Sequence, residues 1–135
     1  MIKLKLELIF ILNKIDLKYL IVLNQYNKIM KTEEFHETTI VIGQNAKENW
    51  DIINFNCDHI WLHLNCFPSC HVIIKDNNPD EEVLAYAASL CKNNTKYKNL
   101  KNLKICYTKC NNLKKGNDTG SVIYKSKRQV KTITI

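Results

Sequence analysis

The stretch of the sequence with the most reactive side chains is CDHIWLHLNCFPSCH at residues 57–71, where three cysteines and three histidines surround a tryptophan. Cysteine and histidine clusters in an intracellular chain are first interpreted as zinc sites. Residues 60–64, however, alternate between apolar and aromatic or polar side chains, as in a half-buried strand. His59 and His63 would then be roughly 13 Å apart along that strand. One zinc ion, with Zn–N bonds of about 2.0–2.1 Å, cannot bind both.

A turn and a returning strand are predicted after this one, at residues 67–69 and 71–75. The resulting hairpin would bring His63 close to His71 or Cys70, which leaves a metal site open, although no cysteines have C-x2-C spacing. A thiol nucleophile needs a base and an orienting group, and sequence proximity supplies neither. Our leading interpretation is therefore a hairpin with incidental cysteines that pack as small hydrophobic side chains. A zinc site and a thiol enzyme are the alternatives.

The length of 135 residues suits one domain with an ordinary core. Its six cysteines would indicate a disulfide framework only in a secretory context. The longest uncharged apolar run near the N-terminus, residues 8–12, is short for a signal sequence and far below the ~20 residues of a membrane span. We therefore predict a cytoplasmic protein with reduced thiols.

Charge is distributed unevenly along the chain, whose formal net charge is +7. Residues 33–82 hold ten acidic residues against two lysines, whereas residues 91–135 hold eleven lysines and one arginine against Asp118 alone. A basic segment of this kind is typical of a surface that binds a polyanion such as nucleic acid. Solvated lysines are the alternative.

The residue pattern predicts an α+β fold in a single domain, with a mixed or antiparallel sheet of hairpins and two main helices. Residues 37–42 form a strand. Asn45 is then the N-cap of a short helix to about residue 54, with Glu48 completing a capping box. Residues 1–36 form an apolar N-terminal extension, helical or poorly ordered, and residues 37–135 form the domain.

A second helix is predicted to begin at Asn78, with Pro79 at its first position, and to end near residues 93–95. A strand follows at residues 103–107. After a polar loop at 111–120, two further strands, 121–124 and 129–135, are predicted to pair as a hairpin.

Four motifs resemble those of the NFACT-R domain, the RNA-binding module of proteins in ribosome-associated quality control. They are GQNAKEN at 43–49, DHIWLH at 58–63, PSCHVIIK at 68–75 and GSVIY at 120–124. The resemblance implies a non-catalytic module that binds RNA, either tRNA or ribosomal RNA, and the ribosome. It implies no cofactor and no small-molecule substrate. An adaptor that binds a protein partner or DNA is the alternative.

The candidate RNA contacts come from these motifs and from the basic C-terminal segment, where lysines near tyrosines suit phosphate contact combined with base stacking. Each has a structural alternative: core packing for the tryptophan, structural hydrogen bonding for the histidines, capping for Asn45 and solvation for the lysines. Three positions depart from the family pattern, because Gln44 replaces a basic residue and Ser69-Cys70 replaces Gly-Ser. The candidates are Asn45, Lys47, Asn49, Trp61, His63, His71, Lys75, Lys109, Lys114, Lys115, Lys127 and Arg128.

Overall fold

A six-stranded antiparallel sheet organises residues 31–135, the part of the chain that the computed structural model describes. Its strands are β1 (Lys31–Phe35), β2 (Thr38–Ile42), β3 (Ile60–Leu64), β4 (Val72–Ile74), β5 (Lys104–Lys109) and β8 (Lys131–Thr134). In space they follow the order β1-β2-β4-β3-β5-β8. A separate two-stranded sheet pairs β6 (Leu113–Lys115) with β7 (Val122–Tyr124), and the helices are α1 (Ala46–Asp51) and α2 (Glu81–Asn93). The predicted α+β class is confirmed.

One face of the large sheet packs against α2 and forms the main core. Alternate residues of each central strand point to this face, as the period of a strand requires, and the predicted alternation in β3 is confirmed. The helix contributes small side chains, which let it lie close to the sheet. The buried core residues include Ile40, Ile42, Ile60, Leu62, Leu64, Val72, Ile74, Ile105, Val83, Ala87, Ala88 and Cys91.

The opposite face of the sheet is also buried at its centre. Val41, Ile73 and Trp61 are cross-strand neighbours on β2, β4 and β3, and all three are buried. Tyr124 of β7 lies edge-on to Trp61 with 5.9 Å between ring centroids, so the small sheet covers this face. The middle strands are therefore packed between two layers.

The predicted N-cap at Asn45 is confirmed, but Glu48 bonds the backbone N–H of Gln44 rather than that of Asn45, as a capping box would require. The Asn45 side chain accepts a hydrogen bond of 2.9 Å from the Glu48 N–H, and the Glu48 carboxylate accepts bonds from the Gln44 N–H and the Asn45 amide. These contacts satisfy N–H groups that a helix N-terminus leaves without partners. The helix ends at Asp51, about one turn before the predicted end.

The start of α2 differs from the prediction by two residues. Asp80, not Asn78, is the N-cap: its side chain accepts a 2.9 Å hydrogen bond from the Val83 N–H. Pro79 therefore precedes the cap. A carboxylate at this position is favoured because it also interacts with the helix dipole.

The prediction of a hairpin between residues 121–124 and 129–135 was wrong. β7 pairs instead with β6, which lies inside the predicted loop, and β8 pairs with β5 at the edge of the large sheet. The buried Asn112 explains why β7 and β8 are separated. Its side-chain amide forms hydrogen bonds with the Ser126 N–H and C=O, each at 2.9 Å, and with Thr108 Oγ1 at 3.0 Å. A polar side chain thus fixes the connection between the two sheets.

The sheet begins at Lys31 rather than near residue 37. β1 pairs with β2 along its whole length, from Lys31 opposite Ile42 to Phe35 opposite Thr38. The predictions for the earlier part of the extension concern residues 1–30, which lie outside the described residues. Within residues 31–135, no helix is both long and apolar enough to cross a bilayer.

Gly120 should be sensitive to substitution because its φ is +87° and an added Cβ would lie 2.6 Å from the Ala46 carbonyl oxygen. We expect Gly120→Ala to lower the free energy of unfolding by about 1–3 kcal/mol, measured by urea denaturation. Gly116→Ala is the matched control, since its added Cβ would mainly meet the movable Ser121 hydroxyl. Equal losses in the two variants would contradict the backbone contact with α1.

Candidate nucleic-acid interface

Four rings from three of the motifs form one cluster on the face of the sheet opposite α2. Trp61 and His63 are nearly parallel, with ring centroids 5.6 Å apart, and His71 packs edge-on against both, at 5.4 and 5.0 Å. Tyr124 completes the cluster through Trp61. The sequence predicted that the hairpin could bring His63 close to His71, and the structure does so.

Burial limits what these rings can contact directly. Only 1% of Trp61 and 4% of His71 is exposed, so neither ring presents a face to a base in this conformation. His63 is half-buried, and its Nδ1 lies 2.6 Å from the Leu64 carbonyl oxygen. A carbonyl only accepts, so Nδ1 of His63 carries the hydrogen and Nε2 remains an acceptor.

Burial also keeps both histidines neutral. Desolvation, followed by the neighbouring His63 ring, lowers the pKa of His71 to about 3. Desolvation likewise lowers the pKa of His63, although the hydrogen bond to Leu64 acts in the opposite direction. At pH 7 the pair therefore supplies no positive charge for a phosphate.

Asn49 joins the first motif to the third. Its Oδ1 accepts a hydrogen bond of 3.1 Å from the His71 N–H, and the Gly43 N–H donates to the His71 carbonyl at 2.9 Å. A Cβ on Gly43 would lie 2.1 Å from Asn49 Oδ1 and would displace this oxygen from its hydrogen bond with His71. Asn49 thus fixes the start of β4 against α1.

Trp50 joins α1 to the fourth motif. Its Nε1 donates a 2.7 Å hydrogen bond to the Ser121 carbonyl, and Lys115 Nζ lies 4.9 Å from the centre of its ring. A lysine over an indole face is held by a cation–π interaction. This role of Trp50 could not be predicted from the sequence, because it depends on a contact across 71 residues of chain.

Two of the predicted polar contacts, Asn45 and Asn49, line an open cleft of about 680 Å³ that we call the amide cleft. The turn after β3 forms its other wall, with Ser69 and Cys70. Two cations, Lys31 and Lys96, also line it and were not predicted as contacts. Only the fold brings these lysines to the motifs, so no local signal identified them.

Two of the predicted cations, Lys109 and Arg128, line a second open cleft of about 830 Å³, which we call the basic cleft. Lys131 adds a third cation, and Tyr107 and Gln129 also line it. Within residues 31–135, none of these cations forms a salt bridge. Sequence analysis predicted Lys109 and Arg128 but not Lys131.

The remaining predicted lysines lie apart from both clefts. Lys47 on α1, Lys75 after β4, Lys114 on β6 and Lys127 in a 3-10 turn are all exposed.

The cysteines and histidines of residues 57–71 do not come together as the ligands of one metal ion. Among residues 31–135, no three His, Cys, Asp or Glu side chains are placed to hold one ion.

Comparison with known proteins identifies the domain. Residues 26–131 match the family model described as the NFACT protein RNA binding domain. The chain belongs to the NFACT-R family. The resemblance carried by the four motifs is thereby confirmed, and the family is one of RNA-binding domains.

Several curated proteins are similar to this NFACT-R chain. The Rqc2 homolog RqcH of Bacillus subtilis is 32% identical over 110 residues, covering 78% of the chain and 19% of that protein. The coiled-coil domain-containing protein 25 of Danio rerio is 32% identical over 108 residues, covering 72% of the chain and 52% of that protein. The chain therefore spans about a fifth of the first relative and half of the second.

A solved structure shares the fold of this NFACT-R chain. It is the C-terminal part of the fibronectin/fibrinogen-binding protein from Streptococcus suis, with a TM-score of 0.68 and 22% sequence identity. The match covers 78% of the chain and 44% of that structure. At this identity the comparison establishes the architecture alone.

The buried His71 should make the stability of the domain depend on pH. Its folded pKa of about 3 lies below the ordinary value of 6.5, so the unfolded state binds a proton that the folded state excludes. The contribution of His71 to the free energy of unfolding is complete above pH 6.5. It decreases as the pH falls, by up to about 1.4 kcal/mol per pH unit. Urea denaturation at pH values from 7 to about 4.5 measures the slope.

His71→Asn removes one of two buried histidines with lowered pKa and should reduce this slope to the part that His63 contributes, whatever its effect on stability at pH 7. His36→Asn makes the same substitution at an exposed histidine and serves as the matched control for the loss of an imidazole. An unchanged slope in His71→Asn would show that other groups dominate acid unfolding.

Proposed function

We propose that this chain is a non-catalytic module that binds RNA on tRNA or the ribosome, in cytoplasmic ribosome-associated quality control. Membership in an RNA-binding family and similarity to a bacterial Rqc2 homolog support the proposal. The observation that carries it is the basic cleft, where Lys109, Arg128 and Lys131 converge without carboxylate partners among residues 31–135.

The basic cleft has the chemistry that a single RNA strand requires. Lysine and arginine neutralise phosphates and release counterions, which is the main source of affinity for nucleic acid. Tyr107 lines the same cleft, and an aromatic ring offers a stacking surface for an unpaired base. Gln129 adds an amide that can bond either a base edge or a ribose hydroxyl.

The amide cleft supplies a second contact of a different kind. Asn45 and Ser69 carry neutral donors and acceptors, whereas Lys31 and Lys96 supply positive charge at the same cleft. Such a mixture suits recognition of a base together with its phosphate, because neutral groups can bond base edges while the cations contact the backbone. We infer that RNA passes over this cleft as well.

Trp61, His63 and His71 contribute to binding by positioning other groups. Their rings hold the start of β4, whose backbone bonds Asn49 and Gly43 at the amide cleft. Substitution of Trp61 should therefore weaken RNA binding mainly through the shape of that cleft. The salt dependence of binding should be little affected.

Reversing charge in the basic cleft tests the proposal. Lys109→Glu with Arg128→Glu should weaken the binding of single-stranded RNA. It should also flatten the dependence of log K on log salt by roughly 1.4, since each phosphate contact contributes roughly 0.7 on a single strand. Fluorescence-anisotropy titrations at several salt concentrations, with single-stranded RNA and with tRNA, give both quantities.

Lys98→Glu with Lys101→Glu is the matched control, because it makes the same change in net charge at exposed residues outside both clefts. It should leave the slope close to that of the wild type. Equal effects of the two double variants would mean that net charge, not the basic cleft, governs binding. If only the double variant Lys114→Glu with Lys115→Glu changes the salt dependence, the RNA-binding surface lies on β6 and not in the basic cleft. Equal affinity for DNA of the same sequence would favour the alternative of a DNA-binding adaptor.

A further inference from the structure

Two cysteines from distant parts of the chain meet at the wall of the amide cleft. Cys91 belongs to α2, and its Sγ lies 3.7 Å from the carbonyl oxygen of Cys70, in the turn before β4. The same sulfur lies 3.6 Å from Ser69 Oγ. The Cys91 thiol therefore sits beside the backbone from which the Cys70 thiol projects.

The two thiols differ in access to solvent. Cys70 is half-buried and lines the amide cleft, whereas Cys91 is 0% exposed in the core. An oxidant in solution can thus reach the first sulfur but not the second. A reactive thiol backed by a protected one is the arrangement in which an oxidised cysteine is resolved by its neighbour.

We propose that Cys70 and Cys91 form an oxidative modification site, at which hydrogen peroxide converts the two thiols into a disulfide. The Cys70 thiolate attacks the peroxide, forming an S–O bond as the O–O bond breaks, and a proton converts the leaving oxygen to water. The Cys91 sulfur then attacks the Cys70 sulfur, and the S–O bond breaks as the S–S bond forms. The departing hydroxide takes the Cys91 proton and becomes the second water.

Electrostatics favour this order of events. The interaction with the Cys91 thiol lowers the pKa of Cys70, which raises its thiolate fraction. The same interaction, together with burial, raises the pKa of Cys91, so this thiol stays protonated until it acts. Thiolates are the nucleophiles in such oxidations, so Cys70, the more accessible member of the pair, is also the more reactive one.

A second pair of cysteines could compete with the first for oxidation. Cys57 is half-buried and interacts with the buried Cys110, whose pKa is raised to about 12, chiefly by burial. The buried thiol stays protonated in both pairs, so it does not distinguish them. Cys70 has a pKa lowered by its buried partner and lines the amide cleft. Cys57 does not line the amide cleft. We therefore expect oxidation at Cys70 and Cys91 first.

The bond would tie the turn between β3 and β4 to α2 and so fix one wall of the amide cleft. A ligand of the cleft would then meet a less mobile wall in the oxidised protein than in the reduced protein. The site itself does not depend on RNA binding, because it requires only the two thiols and the peroxide.

Treatment of the full chain with hydrogen peroxide tests the proposal. The product is alkylated under denaturing conditions and its non-reduced tryptic peptides are analysed by mass spectrometry. Four of the six thiols should remain alkylatable, and the peptide 76–92, which carries Cys91, should be linked to peptide 48–75. Fragmentation should place the link at Cys70. Peptide 110–114, which carries Cys110, should stay free.

Cys70→Ser should abolish the link, and the residue is compatible with the fold because the family pattern has serine there. Cys57→Ser is the matched control and should leave the link intact. A first link at peptide 110–114 would overturn the proposal. Oxidation of Cys70 to sulfinic acid without a link would also overturn it, because Cys91 would then have failed to resolve the intermediate.

Discussion

The β3–β4 hairpin lies at the centre of the sheet with both faces buried, and the candidate interface is attached to it. Ile60, Leu62 and Leu64 face α2, while Trp61 and His63 face the small sheet. A shift of one residue in strand register would exchange these two sets, placing the polar rings in the aliphatic core. The difference between the two faces therefore fixes the register. It also fixes the position of His71, whose backbone anchors Asn49.

Features encoded within a few residues could be predicted from the sequence. The alternation of β3, the turn that follows it and the helix cap at Asn45 depend on local spacing, and all three are present in the structure. The motifs sufficed for the family because they record the same local requirements, such as the absence of a Cβ at Gly43 beside Asn49. The cap at Asp80 was missed because Asn78 and Asp80 are both good capping residues, and sequence alone does not choose between them.

Features that depend on distant contacts could not be predicted. β6 and β7 are three residues each, too short for a clear pattern, and the buried amide of Asn112 sets their separation from β8. The alternation in β3 showed on which face of the sheet Trp61 lies. It could not show that Trp61 is buried there, because nothing in β3 shows that Tyr124 covers that face. Both clefts likewise consist of residues from elements far apart in sequence, which explains why Lys31, Lys96 and Lys131 were not predicted as contacts.

The departure of Gln44 from the family pattern can be understood from the amide cleft. Gln44 is neutral at a position where the motif that it resembles has a basic residue, yet Lys31 and Lys96 line the same cleft. Long-range attraction to a polyanion depends on the summed charge near a surface more than on the position of any one cation. A cation contributed by β1 or by the segment after α2 can therefore replace one at residue 44. The hydrogen-bonding role of that residue is retained independently, because its N–H still donates to Glu48.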